Sequence, residues 1–476
     1  MRRPKIFLFL LPLFCSLLSA AQTGSRFSGT WKGALQVGVE LHVVFHIKED
    51  GKGGFSATAD SPDQSAYDLV CDVVTVTGNE LTIEMNDLNA VYKGSMVNDS
   101  TIDGEFTQGQ EMKLVLKKEG VVKVNNRPQT PQPPFPYKSE EVTYINKDSS
   151  IRYGATITIP QGNGPFPAVL LITGSGPQDR NETIFNHKPF AVIADELTRQ
   201  GIIVLRVDDR GVGKSTGDFG KATSEDFAVD AGYGLDYLVS CPEVNKKKVG
   251  LIGHSEGGMI APMVAVKRKE VSFIILLAAP GVNITELMAE QNAAVLQSSG
   301  VSPATVEKVK PLFTIFSNML LEEKDSKTAL ATALEKLENW AANADKKTLE
   351  ELDFETTAKR KAYLLQMALQ MQTPWFRYFM KFRPSQYLEQ LRCKVLALNG
   401  SRDIQVISSQ NLPGIERSLK KSKVKSYEIK EMPGLNHLFQ TCKACSVEEY
   451  GKLEETFSPA ALKVMTDWLK KEVQEK

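Results

Sequence analysis

Histidine is scarce in this chain, five in 476 residues, so any search for a catalytic base or a metal site is short. Net charge is absent: 57 acidic residues balance 57 basic ones. That removes the electrostatic footprint carried by binders of nucleic acids and other polyanions. Past the first residues, no apolar run approaches the ~20 positions that a membrane-spanning helix needs. Of the six cysteines, Cys442 and Cys445 form a C-x-x-C, but no second pair completes a zinc site. The composition is otherwise that of a globular protein, and the length suits two or three domains.

The one apolar run reads as an address. Arg2, Arg3 and Lys5 precede Ile6 to Leu18, and Ser19-Ala20-Ala21 supplies small residues before Gln22. This is the pattern of an export signal over residues 1–21, and it predicts a periplasmic or secreted protein with no stable membrane insertion after cleavage. Five cysteines would remain: Cys71, Cys241, Cys393, Cys442 and Cys445. An odd number leaves at least one thiol unpaired within a monomer. Cys442 and Cys445 are compatible with a local disulfide or with two free thiols.

Residues 22–124 read as an antiparallel β-domain, a barrel or a sandwich. Val39, Leu41, Val43, Phe45 and Ile47 alternate with other residues, as do Leu81, Ile83 and Met85, and then Met112, Leu114 and Leu116. No chemical constellation converges there. Residues 125–137, NNRPQTPQPPFPY, are proline-rich and mark a linker. From residue 138 to 476 the pattern becomes β-α-β. Continuous apolar runs at Ala168 to Ile172, Ile202 to Leu205 and Phe273 to Leu277 suit strands buried on both faces. Phe227, Ala231, Leu235 and Leu238 recur at helical spacing between them. Helical patterns alone occupy about 283–387, a cap inserted before strands resume at Val395 to Leu398 and Val424 to Ile429. The fold class is therefore α/β, with a mostly parallel sheet.

The stretch that organises this region is Val249 to Gly258, VGLIGHSEGG. It holds G-x-S-x-G between a strand pattern and a helical one, the signature of a nucleophile elbow with Ser255 at its tip. A serine hydroxyl needs a positioned base, oriented in turn by a third group. His42 and His46 fall in the β-domain, His187 in an early loop, and His254 on the wrong side of the turn. His437, in PGLNHLF after a strand, remains as the base. The acid should lie between the two in chain order, and Asp403 in VLALNGSRDIQV follows a strand end. Asp325, Asp345 and Asp353 lie in the helical insertion and are weaker choices. Two N–H donors are needed for a developing oxyanion. Glu256, directly after the nucleophile, offers one, and Ser175 in LITGSGP offers the other, with Gly176 second. The Glu256 side chain is open to a substrate contact, a cation, a solvated role or a paired one.

DDRGVGKS imitates the end of a P-loop, but the first glycine of G-x-x-x-x-G-K-S would stand where Asp208 does, so nucleotide binding is excluded. Asp208, Asp209 and Arg210 are expected to pair within the scaffold beneath the site.

Together GHSEGG, TGSGPQDR, DDRGVGKS, NGSRDIQV and GLNHLFQ resemble the bacterial α/β-hydrolases of the EstD-like carboxylesterase group, over about Lys138 to Lys476 and including PWFRYFM in the cap. The resemblance implies an α/β-hydrolase fold with a helical cap, a Ser-Asp-His triad and a preference for short acyl chains. Those roles fall on Ser255, Asp403 and His437. Cys442 and Cys445 depart from what the resemblance leads one to expect after HLFQ.

The expected activity is that of an exported serine esterase needing no cofactor and no metal. Its partner is a small acyl ester, with no nucleic acid, and a homodimer is left open. Trp375, Phe376 and Tyr378 could line the acyl pocket, but such aromatics are more often core of the cap than pocket wall. The alternatives are a serine peptidase or a sugar-ester deacetylase on the same triad, or a non-catalytic binder of envelope glycans or lipids. A prolyl-oligopeptidase arrangement is disfavoured, because the β-domain is too short for a propeller of several four-stranded blades.

Overall fold

The computed structural model describes residues 26–474 apart from 37–39, 51–52, 63–65, 120–126 and 323–325. The expected signal segment lies outside the described residues. The chain divides into two units, residues 1–124 and 125–476.

In the first unit the period-two pattern becomes nine strands: β1 (Gly29–Gln36), β2 (Glu40–Glu49), β3 (Phe55–Ser61), β4 (Ala66–Cys71), β5 (Val73–Thr77), β6 (Glu80–Met85), β7 (Ala90–Asn98), β8 (Thr101–Gln108) and β9 (Gln110–Lys118). They form one antiparallel sheet in the order β4-β3-β2-β1-β9-β8-β7-β6-β5. Alternate residues point inward: Val43, Phe45 and Ile47 of β2, Leu81, Ile83 and Met85 of β6, and Leu114 and Leu116 of β9 are all buried with Phe27, Trp31 and Tyr92. The two outermost strands, β4 and β5, are consecutive in the chain with only Asp72 between them. The sheet therefore curls until its edges meet, which makes it a barrel. Asp72 anchors the seam: its N–H donates to Glu84 O at 2.8 Å, and its carboxylate accepts from Asn86 N at 2.7 Å.

The second unit holds an eight-stranded sheet. Its strands are β10 (Lys138–Ile145), β11 (Arg152–Ile159), β12 (Phe166–Ile172), β13 (Ile203–Val207), β14 (Val244–His254), β15 (Val271–Leu277), β16 (Lys394–Gly400) and β17 (Tyr427–Met432), in the order β10-β11-β13-β12-β14-β15-β16-β17. From β13 to β17 all neighbours are parallel, and β10 and β11 add an antiparallel edge. Helices α1 (Pro189–Arg199), α2 (Ser224–Ser240) and α3 (Glu256–Lys267) connect the early strands. Next come α4 (Ile284–Ser298), α5 (Pro303–Glu322), α6 (Ser326–Asn343), α7 (Lys346–Glu351), α8 (Thr357–Gln372), α9 (Pro374–Lys381) and α10 (Ser385–Leu388), all inserted between β15 and β16. The chain ends with α11 (Ser408–Lys421), α12 (Val447–Tyr450) and α13 (Pro459–Leu469).

Strands buried on both faces need two cores. Leu170, Leu251 and Ile274 pack with α2, α3, α11 and the inserted helices. Val169, Leu171 and Phe273 pack with Phe190 and Ile193 of α1 and Trp468 of α13. This is the α/β-hydrolase architecture, with catalytic loops gathered at the carboxyl ends of the parallel strands. Strand β17 starts three residues later than the apolar pattern implies. Ser422 Oγ accepts from Val424 N at 3.2 Å, and Lys423 N donates to Leu391 O at 3.1 Å, so local bonds hold that stretch as a turn.

Candidate active site

Strand β14 runs straight into helix α3, and the whole reversal falls on Ser255. Its backbone sits at φ +52°, ψ −116°, a region that a residue with a Cβ occupies only under constraint. Ser255 N donates to Leu277 O at 2.8 Å, and Gly258 N donates to Ser255 O at 2.9 Å. The turn needs bare backbone on the far side, since a Cβ at Gly257 would fall 2.1 Å from Ile172 O. The serine hydroxyl thus projects at the tip of a strained turn, over the N-terminus of a helix whose first N–H groups have no intrahelical acceptor.

Asp403 and His437 follow the ends of the last two strands, β16 and β17. Asp403 is 4% exposed and fully engaged. One oxygen accepts from the N–H groups of Gln405 and Val406 at 2.8 and 2.9 Å. The other accepts from Asn399 Nδ2 at 3.0 Å and His437 Nδ1 at 2.8 Å. With Nδ1 donating to the carboxylate, Nε2 is the nitrogen able to take a proton. The loop carrying His437 presses on the end of β16, where a Cβ at Gly400 would fall 2.2 Å from Leu435 O. The His437 ring lies beside that of His254, with centroids 4.9 Å apart. The structure therefore brings the imidazole next to the residue that precedes Ser255. Among the described residues no hydrogen bond holds Ser255 Oγ, and such bonds often tighten only when substrate arrives.

The loop after β12 provides the other side. A Cβ at Gly174 would lie 3.3 Å from Ser255 Cβ, so this loop passes directly over Ser255. Gly174 N is already committed, donating to Glu182 Oε1 at 2.6 Å. Ser175 N, one residue on, has no acceptor among the described residues. The loop is fastened from below by the pair of aspartates after β13. Asp209 accepts from Thr173 Oγ1 at 2.8 Å and Gln178 N at 2.9 Å. Asp208 accepts from Arg180 Nη2 at 2.6 Å and from Lys214 N at 2.9 Å. DDRGVGKS is thus a clasp for TGSGPQDR. Burial pushes the Asp209 carboxyl well above the usual range, and the nearby Glu256 and Glu182 push it the same way. A cavity of about 50 Å³ lies under this loop, lined by Tyr144, Thr173, Gly174, Asp209, Phe227 and Ile260 among others.

Glu256 is not solvated. It is 2% exposed, and its Oε1 accepts from Ser224 Oγ at 2.5 Å and from Trp375 Nε1 at 2.8 Å. Burial raises its carboxyl to about 7 against those two bonds, and Oε2 has no partner. Trp375 therefore joins α9 of the insertion to the nucleophile turn, and it stacks on Phe379 at 5.0 Å.

Two residues that matter here were set aside or unseen in the sequence. His254 is engaged on both nitrogens, with Glu182 Oε1 at 2.9 Å and His437 O at 3.0 Å. Burial works against its charged form, yet the Glu182 carboxylate outweighs that and lifts the imidazole above its ordinary range. Nothing in the spacing of Glu182, 72 residues before its partner, signals the contact. Near His437, Cys442 and Cys445 are joined as a disulfide. With Glu449 they form a cluster of metal-ligand types, but disulfide sulfurs are not thiolate ligands. Asp345 serves as the N-cap of α7. No helix among the described residues is long and apolar enough to cross a membrane.

A family model described as X-Pro dipeptidyl-peptidase (S15 family) matches residues 148–415, more than half of the chain; Ser255 and Asp403 lie inside the match and His437 beyond it. Esterase EstD of Thermotoga maritima is 36% identical over 156 residues, 33% of this chain and 37% of that protein. The uncharacterized protein RP471 of Rickettsia prowazekii is 31% identical over 118 residues, 25% of this chain and 46% of that protein. The chain thus matches less than half the length of either relative. The structure of the Pyrococcus furiosus esterase Pf2001 aligns with a TM-score of 0.42 at 14% identity, over 73% of this chain and 97% of that one.

Proposed function

We propose that this chain, which belongs to the X-Pro dipeptidyl-peptidase (S15) family, is a serine carboxylesterase acting on short acyl esters. The observation that carries the reading is the 2.8 Å bond between Asp403 and His437, set beside a serine held at φ +52° on a strand-to-helix turn. The similarity to Esterase EstD favours an ester over an amide as substrate.

In this reading Ser255 Oγ attacks the acyl carbonyl while His437 Nε2 takes its proton. Asp403 keeps Nδ1 protonated and stabilises the imidazolium. The N–H groups of Ser175 and Glu256 receive the oxyanion, each worth roughly 3–4 kcal/mol. His437 then gives its proton to the leaving alcohol, and water enters by the same route to release the acid. Export to the periplasm or beyond is part of the proposal. It is supported by the charged and apolar start of the sequence and by the Cys442–Cys445 disulfide, since disulfides persist in oxidising compartments.

The test is hydrolysis of p-nitrophenyl esters from acetyl to dodecanoyl by wild type and Ser255→Ala. Turnover of the short esters that vanishes in the variant is the expected result; a folded wild type inert on every ester overturns the reading. The family's printed description supplies a second reading, a peptidase, so X-Pro p-nitroanilides belong in the same panel. Cleavage of these with no ester turnover would replace the first reading with the second.

A further inference from the structure

Resting on the esterase reading, we propose that Glu182 and His254 are positioning residues, a buried ion pair that locks the oxyanion loop and the base-bearing loop to the nucleophile turn. The argument is one of connectivity. Glu182 Oε1 accepts from Gly174 N at 2.6 Å and from His254 Nδ1 at 2.9 Å. His254 Nε2 lies 3.0 Å from the carbonyl of His437. The His437 carbonyl can only accept, so Nε2 donates; with Glu182 as the carboxylate, Nδ1 donates as well, and the ring is then an imidazolium. Three segments far apart in sequence are thereby joined at one carboxylate and one ring, both adjacent to Ser255.

Each bond has a consequence for the chemistry. Engaging Gly174 N fixes the Thr173–Gly174 peptide plane, one ahead of the plane that carries the Ser175 N–H, and leaves that N–H as the loop's oxyanion donor. Holding the His437 carbonyl limits rotation of the loop that must aim Nε2 at Ser255. The charged groups facing His254 are Glu182 and, behind His437, Asp403; Asp209 bears on Glu182 from below the loop. The pair is neutral as a whole, so it orders the site without opposing the negative charge that develops on the oxyanion. Glu182 itself is held at φ +52° and is 4% exposed, a constrained backbone whose carboxylate makes two contacts.

The experiment uses the full chain as wild type, Glu182→Gln, His254→Asn and the double variant. The amide of Glu182→Gln can still accept from Gly174 N but cannot pair with a cation. The expected result is a fall in kcat on the order of 100-fold with KM within about threefold, as loss of aim rather than of binding predicts. The double variant should be no worse than the weaker single one, because the two residues act as a unit. Histidine-selective ¹⁵N NMR of the wild type at pH 8 should show an imidazolium that disappears in His254→Asn. A folded Glu182→Gln that keeps kcat within about threefold, or additive losses in the double variant, overturns the proposal. If the variants do not fold, a wild type with no imidazolium at pH 8 overturns it as well. Absent ester turnover by wild type brings down the esterase reading; wild-type turnover with an unaffected Glu182→Gln brings down this inference alone.

Discussion

The two units bury their side chains by opposite rules. Among the described residues of the β-unit, the buried side chains are apolar apart from Ser61 and Thr101. The α/β unit buries Arg180, Glu182, His187, Arg206, Asp208, His254, Glu256, Asp403 and His437. Each buried charge costs several kcal/mol unless it is paired and hydrogen-bonded. The first unit is thus organised for packing, whereas the second spends packing on an electrostatic arrangement centred on Ser255. The contrast shows where in this molecule a substitution should cost stability and where it should cost chemistry.

The sharpest test of that contrast is Asp403→Asn. Asparagine can hold His437 in the wrong tautomer, so kcat should fall by about 10⁴ while the fold persists; ester kinetics alongside circular dichroism measure both. Trp31→Ala should do the reverse. Its ring is fully buried and its Nε1 donates to Phe27 O at 2.7 Å, so urea unfolding of the β-unit should lose about 3–5 kcal/mol, with ester turnover of the folded protein unchanged. A matching loss of turnover would break the division between the units. Smaller again is the Cys442→Ser, Cys445→Ser pair. Opening a four-residue loop should cost on the order of 2 kcal/mol in the chain-entropy account, read as a lower thermal midpoint.

The smallest effect expected is on pH dependence. Glu256 titrates near 7 in the fold and is anionic above that, on the residue whose N–H is proposed to receive the oxyanion. Wild-type kcat should therefore decline as pH rises through about 7, by roughly threefold at pH 8, and Glu256→Gln should abolish the decline. The stability sign agrees. The raised carboxyl holds a proton that the unfolded chain releases, so wild type loses stability as pH rises from about 4.5 to about 7, and the glutamine variant does not. A flat wild-type profile would show that buried charge in this unit is silent.

How far the sequence could be read follows from the same contrast. Period two in β2, β6 and β9 and the apolar runs of β12 and β15 are local signals, and the α/β architecture with its antiparallel companion was legible from them. The glycine spacing around Ser255 is equally local. The choice between a barrel and a sandwich was not legible, because the joining of β4 and β5 across Asp72 depends on strand order, which no short window contains. Glu182 was missed for a like reason: a carboxylate in QDRNET looks solvated until the fold sets it 2.9 Å from His254. Glu256 was left open between solvent and partner, and the choice was made by Ser224 and Trp375, which come from helices remote in sequence.

The inserted helices separate β15 from β16, although the two strands are neighbours in the sheet. Asp403 follows Ser255 by 148 residues, and His437 follows later still. At about 5–20 residues per second, a growing chain would carry its serine for roughly 7–30 s before the acid is made. On the proposed reading, the last two strands must dock before Asp403 and His437 can meet Ser255. Assembly of the sheet is thus a timer on the chemistry: a nascent chain holds a nucleophile long before it holds an enzyme.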